Sequence, residues 1–190
     1  MSHSVFNISH LLRGSFRHGI HPPDNKHFTA SKKIERLPFP PRLVLPLSQH
    51  AGKPSVALVR KGQEVARGEP IARADGFVSV PLHAAASGVV KDICLMPSAK
   101  GPMVESIVLD VYAGDPQEVL YGMDVDVAAM PTGDFVQAVQ DTGLVGLGGA
   151  AFPTHVKLAV PEGHTIDTIL INGCECEPFL TTDHRLMVEQ

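Results

Sequence analysis

The chain has 190 residues, with 16 Lys and Arg against 20 Asp and Glu, 17 glycines, 16 prolines, three cysteines and no Trp. Such a length buries a sizeable core, and a Gly and Pro content above the usual combined share of about 12% excludes a helical bundle. No apolar run approaches the roughly 20 residues of a membrane helix. No signal-peptide pattern opens the chain, and Cys94, Cys174 and Cys176 are too few for a disulfide scaffold, so the cytoplasm is the expected compartment.

Residues 1–41 read as an extended basic arm. Up to residue 42 there are seven Lys and Arg against two Asp and Glu, and the remainder is acidic. Prolines 22, 23, 38, 40 and 41 exclude a long helix or a central strand. A basic arm can meet nucleic acid, anionic lipid or an acidic partner. This one lacks the dense cationic runs and interleaved aromatics of nucleic-acid binders. The sequence therefore favours a segment that wraps its own acidic body.

Residues 42–113 are patterned as short strands. Leu43, Leu45 and Leu47 alternate, as do Val56 and Leu58, Phe77 with Ser79, Val78 with Val80, and Ile107, Leu109 and Val111. Asp75-Gly76 is a turn signal, because such turns need positive φ. The run from Lys61 to Ile71, with Gly62 and Gly68, is echoed beyond that turn by the run from Pro81 to Ile93. The two runs resemble the halves of a biotinyl/lipoyl-type barrel-sandwich. In that family a lysine at the hairpin tip carries the cofactor, but here the tip reads Arg73-Ala74-Asp75-Gly76-Phe77-Val78. Without an amine there can be no amide to biotin or lipoate, so the expected role is scaffold or docking module rather than carrier.

Residues 114–132 form a polar linker. Asp134–Thr142 predicts a helix, with Phe135, Ala138 and Val139 on one face and Gly143 just past its end. Ile166–Ile171 has strand length and β-branching, and Asn172-Gly173 closes it. Thr181–Gln190 reads as the start of a helix, and the domain over 133–190 looks truncated, as in part of a longer protein.

The stretch Gly143-Leu144-Val145-Gly146-Leu147-Gly148-Gly149-Ala150-Ala151-Phe152-Pro153-Thr154 is the most informative. Its glycines allow close backbone approach to a ligand. Pro153 suits a helix start, and free N–H groups there can hold a phosphate that Lys157, one turn on, could also reach. No Gly-Lys-Ser/Thr follows, which excludes a Walker loop. Gly146-x-Gly148-x-x-Ala151 matches a relaxed dinucleotide fingerprint, yet it follows a helix and not a strand. Taken alone, the loop reads equally well as a structural turn. A second cluster, Asn172-Gly173-Cys174-Glu175-Cys176-Glu177-Pro178, closes the predicted strand, where open α/β sheets bind ligands. Its amide and carboxylates suit ribityl or ribose hydroxyls, and a carboxylate there would disfavour a 2′-phosphate and so favour NADH. Glu175 and Glu177 read as readily as two solvated loop acids.

Together these clusters resemble the flavin and NADH site of the flavoprotein subunit of respiratory complex I, and more closely the family formed by the C subunit of the Rnf electron transport complex. The resemblance also takes in Gly19-Ile20-His21-Pro22-Pro23, Pro46-Leu47-Ser48-Gln49-His50, the lysine-free barrel-sandwich and Asn172 through Met187. It implies a barrel-sandwich hybrid followed by the start of a complex I flavoprotein-type α/β domain, an α+β or α/β chain overall. It implies that Gly146, Gly148 and Gly149 cradle FMN, that Lys157 contacts it, and that Asn172 and Glu175 hold the flavin side. Phe152 would stack against the nicotinamide, with Glu177 close to the NADH path. Leu147 stands where complex I carries arginine, and Cys174 where it carries aspartate.

The activity implied is hydride transfer from NADH to FMN, then single-electron release to iron–sulfur clusters, with flavin supplying the chemistry and no catalytic acid or base required. Two 4Fe-4S clusters are expected in a later segment, since no Cys-x-x-Cys-x-x-Cys run occurs here. The cysteines read as structural, and the ten histidines show no zinc spacing. Implied partners are the other Rnf subunits, including membrane subunits and a ferredoxin-like subunit that couple the reaction to ion translocation, with no nucleic acid and no direct membrane insertion. The implied place is peripheral, on the cytoplasmic side of the bacterial inner membrane. The alternative is a non-catalytic structural or quinone-interacting component, resembling the A subunit of the sodium-translocating NADH:quinone reductase.

Overall fold

A computed structural model describes residues 22–99, 103–114, 116–119, 121–122, 125–147 and 149–190. The first half of the arm, with Gly19-Ile20-His21, lies outside the described residues, as does Gly148. The chain divides into two compact units, Leu37–Ile169 and the pair Met1–Arg36 with Leu170–Gln190.

The larger unit is built on seven strands, β1 (Arg42–Pro46), β2 (Val56–Ala57), β3 (Glu64–Val65), β4 (Pro70–Arg73), β5 (Leu82–His83), β6 (Gly88–Pro97) and β7 (Met103–Val111). They form two antiparallel sheets, ordered β1-β7-β6-β3 and β2-β4-β5. The alternation seen in sequence sets which side chains turn inward. Val65, Val90, Ile107 and Leu109 from the first sheet meet Ile71 and Ala72 from the second in one buried cluster, joined by Leu47, Val59, Ala84 and Ala86. Two small sheets closed over a shared aliphatic core make this a barrel-sandwich hybrid.

The turns that the repeated runs require carry glycine in the left-handed region, with φ of +82° at Gly62, +89° at Gly68 and +95° at Gly76. The 114–119 connection is strapped to the barrel by Gln117. Its buried amide oxygen accepts from Ser87 N–H at 2.7 Å, and its backbone carbonyl accepts from Arg67 Nη1 at 2.7 Å. Arg67 in turn lies over the Phe39 ring at 5.1 Å, so the proline segment 38–41 is held flat against the same face.

The β4–β5 connection, 74–81, departs from expectation. The alternation of Phe77 to Val80 predicts a strand, but those residues pair with none. Their carbonyls are taken individually. Gly76 O and Ser79 O accept from Gln140 Nε2, Phe77 O from His155 Nε2, Val78 O from Lys53 N–H and Val80 O from Ser55 Oγ. Five successive acceptors are satisfied by five donor contacts, which leaves nothing for a ladder.

Against this connection sits α1 (Thr132–Asp141), with Phe135, Ala138 and Val139 half-buried on one face. Gly143 ends it at φ +73°, and a Cβ there would lie 2.7 Å from Pro81 O, so both conformation and space demand glycine. A short α2 (Thr154–Leu158) follows. In the smaller unit, residues 22–36 run beside α3 (Thr182–Glu189). Lys26 Nζ donates to the carbonyls of Glu175 at 2.6 Å and Leu180 at 2.9 Å, and Arg185 Nη1 donates to Ala30 O. This end of the basic arm thus wraps its own chain.

The strand expected over 166–171 is absent. The segment has no regular structure, and Ile169, Leu170 and Ile171 are 75%, 90% and 88% exposed. β-branching favours extended backbone but forms a strand only with a neighbour, and no described residue pairs with this run.

Two outcomes test this fold. A Cβ on Gly88 would stand 2.2 Å from Asp110 O, in the backbone of the adjoining strand. Gly88→Ala is expected to cost about 1–3 kcal/mol, seen as a lower urea midpoint at unchanged slope. His83 borders an open cleft of about 340 Å³ between β4 and α1, and its pKa is lowered by burial, against an opposing pull from Asp141. The unfolded chain therefore binds more protons over that interval. Stability is full above about pH 6.5 and falls as pH drops from there to the lowered folded value. In His83→Gln the urea midpoint should lose this part of its acid slope.

Candidate functional site

The glycine-rich loop is closed by a short antiparallel neck. Val145 and Pro153 face each other across a bridge, Gly146 N–H donates to Phe152 O at 3.0 Å, and Thr154 N–H donates to Leu144 O at 3.0 Å. Inside the neck, Gly149 has φ +91° and Ala151 has φ +49°, the latter a strained value for a residue with a Cβ. Ala151 is pinned by its carbonyl, which accepts from Ala51 N–H at 3.0 Å on the loop after β1.

Lys157, on α2, brings its ammonium back over this neck. A Cβ on Gly146 would lie 2.9 Å from Lys157 Nζ, so the amine fills space that only glycine leaves. Lys157 is exposed and forms no ion pair among the described residues. Around Gly149 nothing lies within 4 Å of where a side chain would begin, and Leu147 is 92% exposed. An uncompensated cation beside open backbone is chemistry suited to an oxyanion such as a phosphate monoester. A phosphate monoester such as that of FMN would suit this corner on that ground. Phe152 is half-buried in the neck, with its carbonyl engaged by Gly146. The sequence-predicted residues Gly146, Gly149, Phe152 and Lys157 are thus brought together on one corner.

Asn172, Glu175 and Glu177 belong to the other unit. They follow irregular chain rather than a strand, so the placement at a sheet's carboxyl edge is corrected. Asn172 Oδ1 accepts from Cys174 N–H at 2.9 Å, a local turn of the kind asparagine forms with backbone two residues on. Glu175 Oε1 accepts from Asp183 N–H at 2.8 Å and caps α3. The other atoms of these two side chains, Asn172 Nδ2 and Glu175 Oε2, make no hydrogen bond among the described residues and offer a donor and an acceptor. Glu177 is exposed. Phe179, next in line, has φ +66° and is held by three contacts from residues 24–29. Its N–H donates to Asp24 O, its carbonyl accepts from Thr29 Oγ1, and its ring stacks on Phe28 at 6.0 Å.

Cys174 and Cys176 are exposed free thiols and Cys94 is half-buried in β6. No group of three or more His, Cys, Asp and Glu among the described residues could hold a metal. Sequence reasoning missed Gln140, His155 and Ala51, which anchor the loop. Each acts through one hydrogen bond or two to backbone that is distant in sequence, and such contacts leave no periodic trace.

Comparison with known proteins agrees with this architecture. Residues 14–112 match the RnfC barrel sandwich hybrid domain, and residues 139–190 match the Nuo51 FMN-binding domain. The chain is 41% identical over 189 residues to the C subunit of the Na(+)-translocating ferredoxin:NAD(+) oxidoreductase complex of Acetobacterium woodii, covering 97% of this chain and 41% of that protein. It is 40% identical over 184 residues to the C subunit of the proton-translocating ferredoxin:NAD(+) oxidoreductase complex of Clostridium ljungdahlii, covering 92% and 38%. With the C subunit of the ion-translocating oxidoreductase complex of Rhodobacter capsulatus the identity is 37% over 190 residues, covering 98% and 36%. The chain spans less than half the length of these relatives. A barrel-sandwich with no lysine at its hairpin tip, joined to a glycine-rich loop, and the match over 14–112 place the chain in the RnfC family, the C subunits of the Rnf electron transport complex.

Proposed function

We propose that the chain is part of an electron-transport subunit that binds FMN, oxidises NADH and passes electrons to iron–sulfur clusters, while partner subunits couple the reaction to ion translocation. The observation that carries this reading is the Lys157 ammonium lodged over Gly146, facing open backbone, with no carboxylate among the described residues to neutralise it. When bound, FMN would accept a hydride from NADH and release the electrons one at a time.

In this reading Lys157 holds the FMN phosphate by charge, and Gly146, Gly148 and Gly149 keep side chains out of its way. Asn172 and Glu175 hold the flavin side through the amide nitrogen and carboxylate oxygen left over from their local bonds. Phe152 offers a ring face for the nicotinamide, and Glu177 disfavours a 2′-phosphate on the dinucleotide. The residues here bind and orient; the one proton that comes with the hydride would leave to solvent when the electrons do, so no side chain is needed as acid or base. The two 4Fe-4S clusters belong to a later segment of the full-length protein. Among the described residues no helix is long and apolar enough to cross a membrane. In this reading attachment to the cytoplasmic face comes from partners, among them membrane subunits and a ferredoxin-like subunit.

The test is an anaerobic visible spectrum of the full-length protein before and after NADH. A flavin band that bleaches, with cluster absorbance falling in step, is expected; a colourless protein that takes up neither FMN nor NADH would overturn the reading in favour of a structural component. Lys157→Met should weaken FMN binding by about tenfold to a hundredfold, the worth of one charge-assisted contact. Gly146→Ala should weaken it too by displacing the amine, while leaving stability within about 0.5 kcal/mol, because only the far end of a flexible side chain must move.

A further inference from the structure

Both ends of the glycine-rich loop are tied to one short piece of the barrel. Ahead of the loop, Gln140 Nε2 lies 3.3 Å from Gly76 O and 3.0 Å from Ser79 O. Beyond it, His155 Nε2 lies 2.6 Å from Phe77 O. A carbonyl only accepts, so the His155 proton is on Nε2. The ring is wholly buried, edge-on to the Phe77 ring at 5.3 Å. Its Nδ1 is left as a buried acceptor with no hydrogen-bond partner among the described residues. An apolar side chain of similar volume would avoid that cost, so packing alone does not account for histidine here. What histidine adds is the donor that reaches Phe77 O.

We propose that His155 and Gln140 are positioning residues for the phosphate cradle, a pair of latches that lock the loop's two ends to the hairpin tip Gly76–Ser79. The inference rests on the FMN reading for its purpose but not for its geometry. With both ends fixed, the neck at Gly146 and Thr154 keeps its shape without ligand, and the strained Ala151 has no slack through which to relax. Lys157, two residues beyond His155 on the same short helix, is thereby held over Gly146. The tip that carries a cofactor lysine in biotinyl and lipoyl domains here acts as the fixed end of a clamp.

The test uses the full-length protein with His155→Leu, Gln140→Leu and His155→Gln. Leucine keeps bulk and removes the donor, whereas glutamine returns an N–H of comparable reach. FMN should dissociate about tenfold faster from His155→Leu and within about threefold of the unmodified rate from His155→Gln. In flavin-free protein, amide exchange at Gly146 and Thr154 should quicken in both leucine variants and recover in His155→Gln, with β6 and β7 protection unchanged. Equal loop exchange in all variants would overturn the proposal, as would loss of β6–β7 protection in step with the loop. If the unmodified protein takes up no FMN, the flavin reading fails, and exchange at Gly146 and Thr154 alone decides on the latches.

Discussion

Backbone carbonyls packed against other chain need donors, and the run from Gly76 to Val80, exposed over its first three residues and buried at Ser79 and Val80, meets that need in an unusual way. None of its five acceptors joins a sheet. Lys53 and Ser55 take two from the barrel side, and Gln140 and His155 take three from the helices that flank the glycine-rich loop. Each satisfied carbonyl contributes on the order of 1 kcal/mol net, but leaving one buried and unmade costs more. The connection is therefore fixed by its obligations. Gly143 approaches Pro81 closely at the end of this connection, and Gln140 and His155, on the helices either side of the glycine-rich loop, bond to it directly.

The same economy explains why a barrel-sandwich without its lysine remains useful. The aliphatic cluster around Ile71, Val90, Ile107 and Leu109 requires both sheets, so the core preserves the fold whatever the hairpin tip does. A tip released from carrying a cofactor can present backbone instead of a side chain. Backbone carbonyls are rigid, closely spaced acceptors, better suited to bracing a neighbouring loop than to swinging.

Much of this was legible in the residues. Leu43 and Leu45, and Ile107, Leu109 and Val111, keep the period of two because these are the residues that face the shared core, and β1 and β7 follow. Gly143 marks the end of α1 for the same steric reason that the structure shows. Two segments mislead, and for opposite reasons. Phe77 to Val80 alternates like a strand, yet its carbonyls are taken by distant donors, which no local pattern encodes. Ile166 to Ile171 has strand composition without a strand's partner among the described residues. Gln140 and His155 were invisible because a single side-chain-to-backbone bond leaves no spacing to detect. The nearness of Lys157 to Gly146 was readable, since one helical turn returns the side chain to the loop.

The bonds from Gln140 and His155 to the hairpin tip span 61 to 78 residues of sequence. Closing loops of that size is entropically unfavourable until something rewards it, and the barrel's own β1–β7 pairing, from Arg42 with Asp110 to Pro46 with Ser106, closes loops of similar length. During synthesis the barrel strands leave the ribosome well before α1 and α2, and domains generally fold as they emerge. The barrel is thus a template on which the later loop is moulded, and the order of folding is written into the order of the chain. A lesion in the early strands would then surface as a defect in a glycine-rich loop that is translated only afterwards.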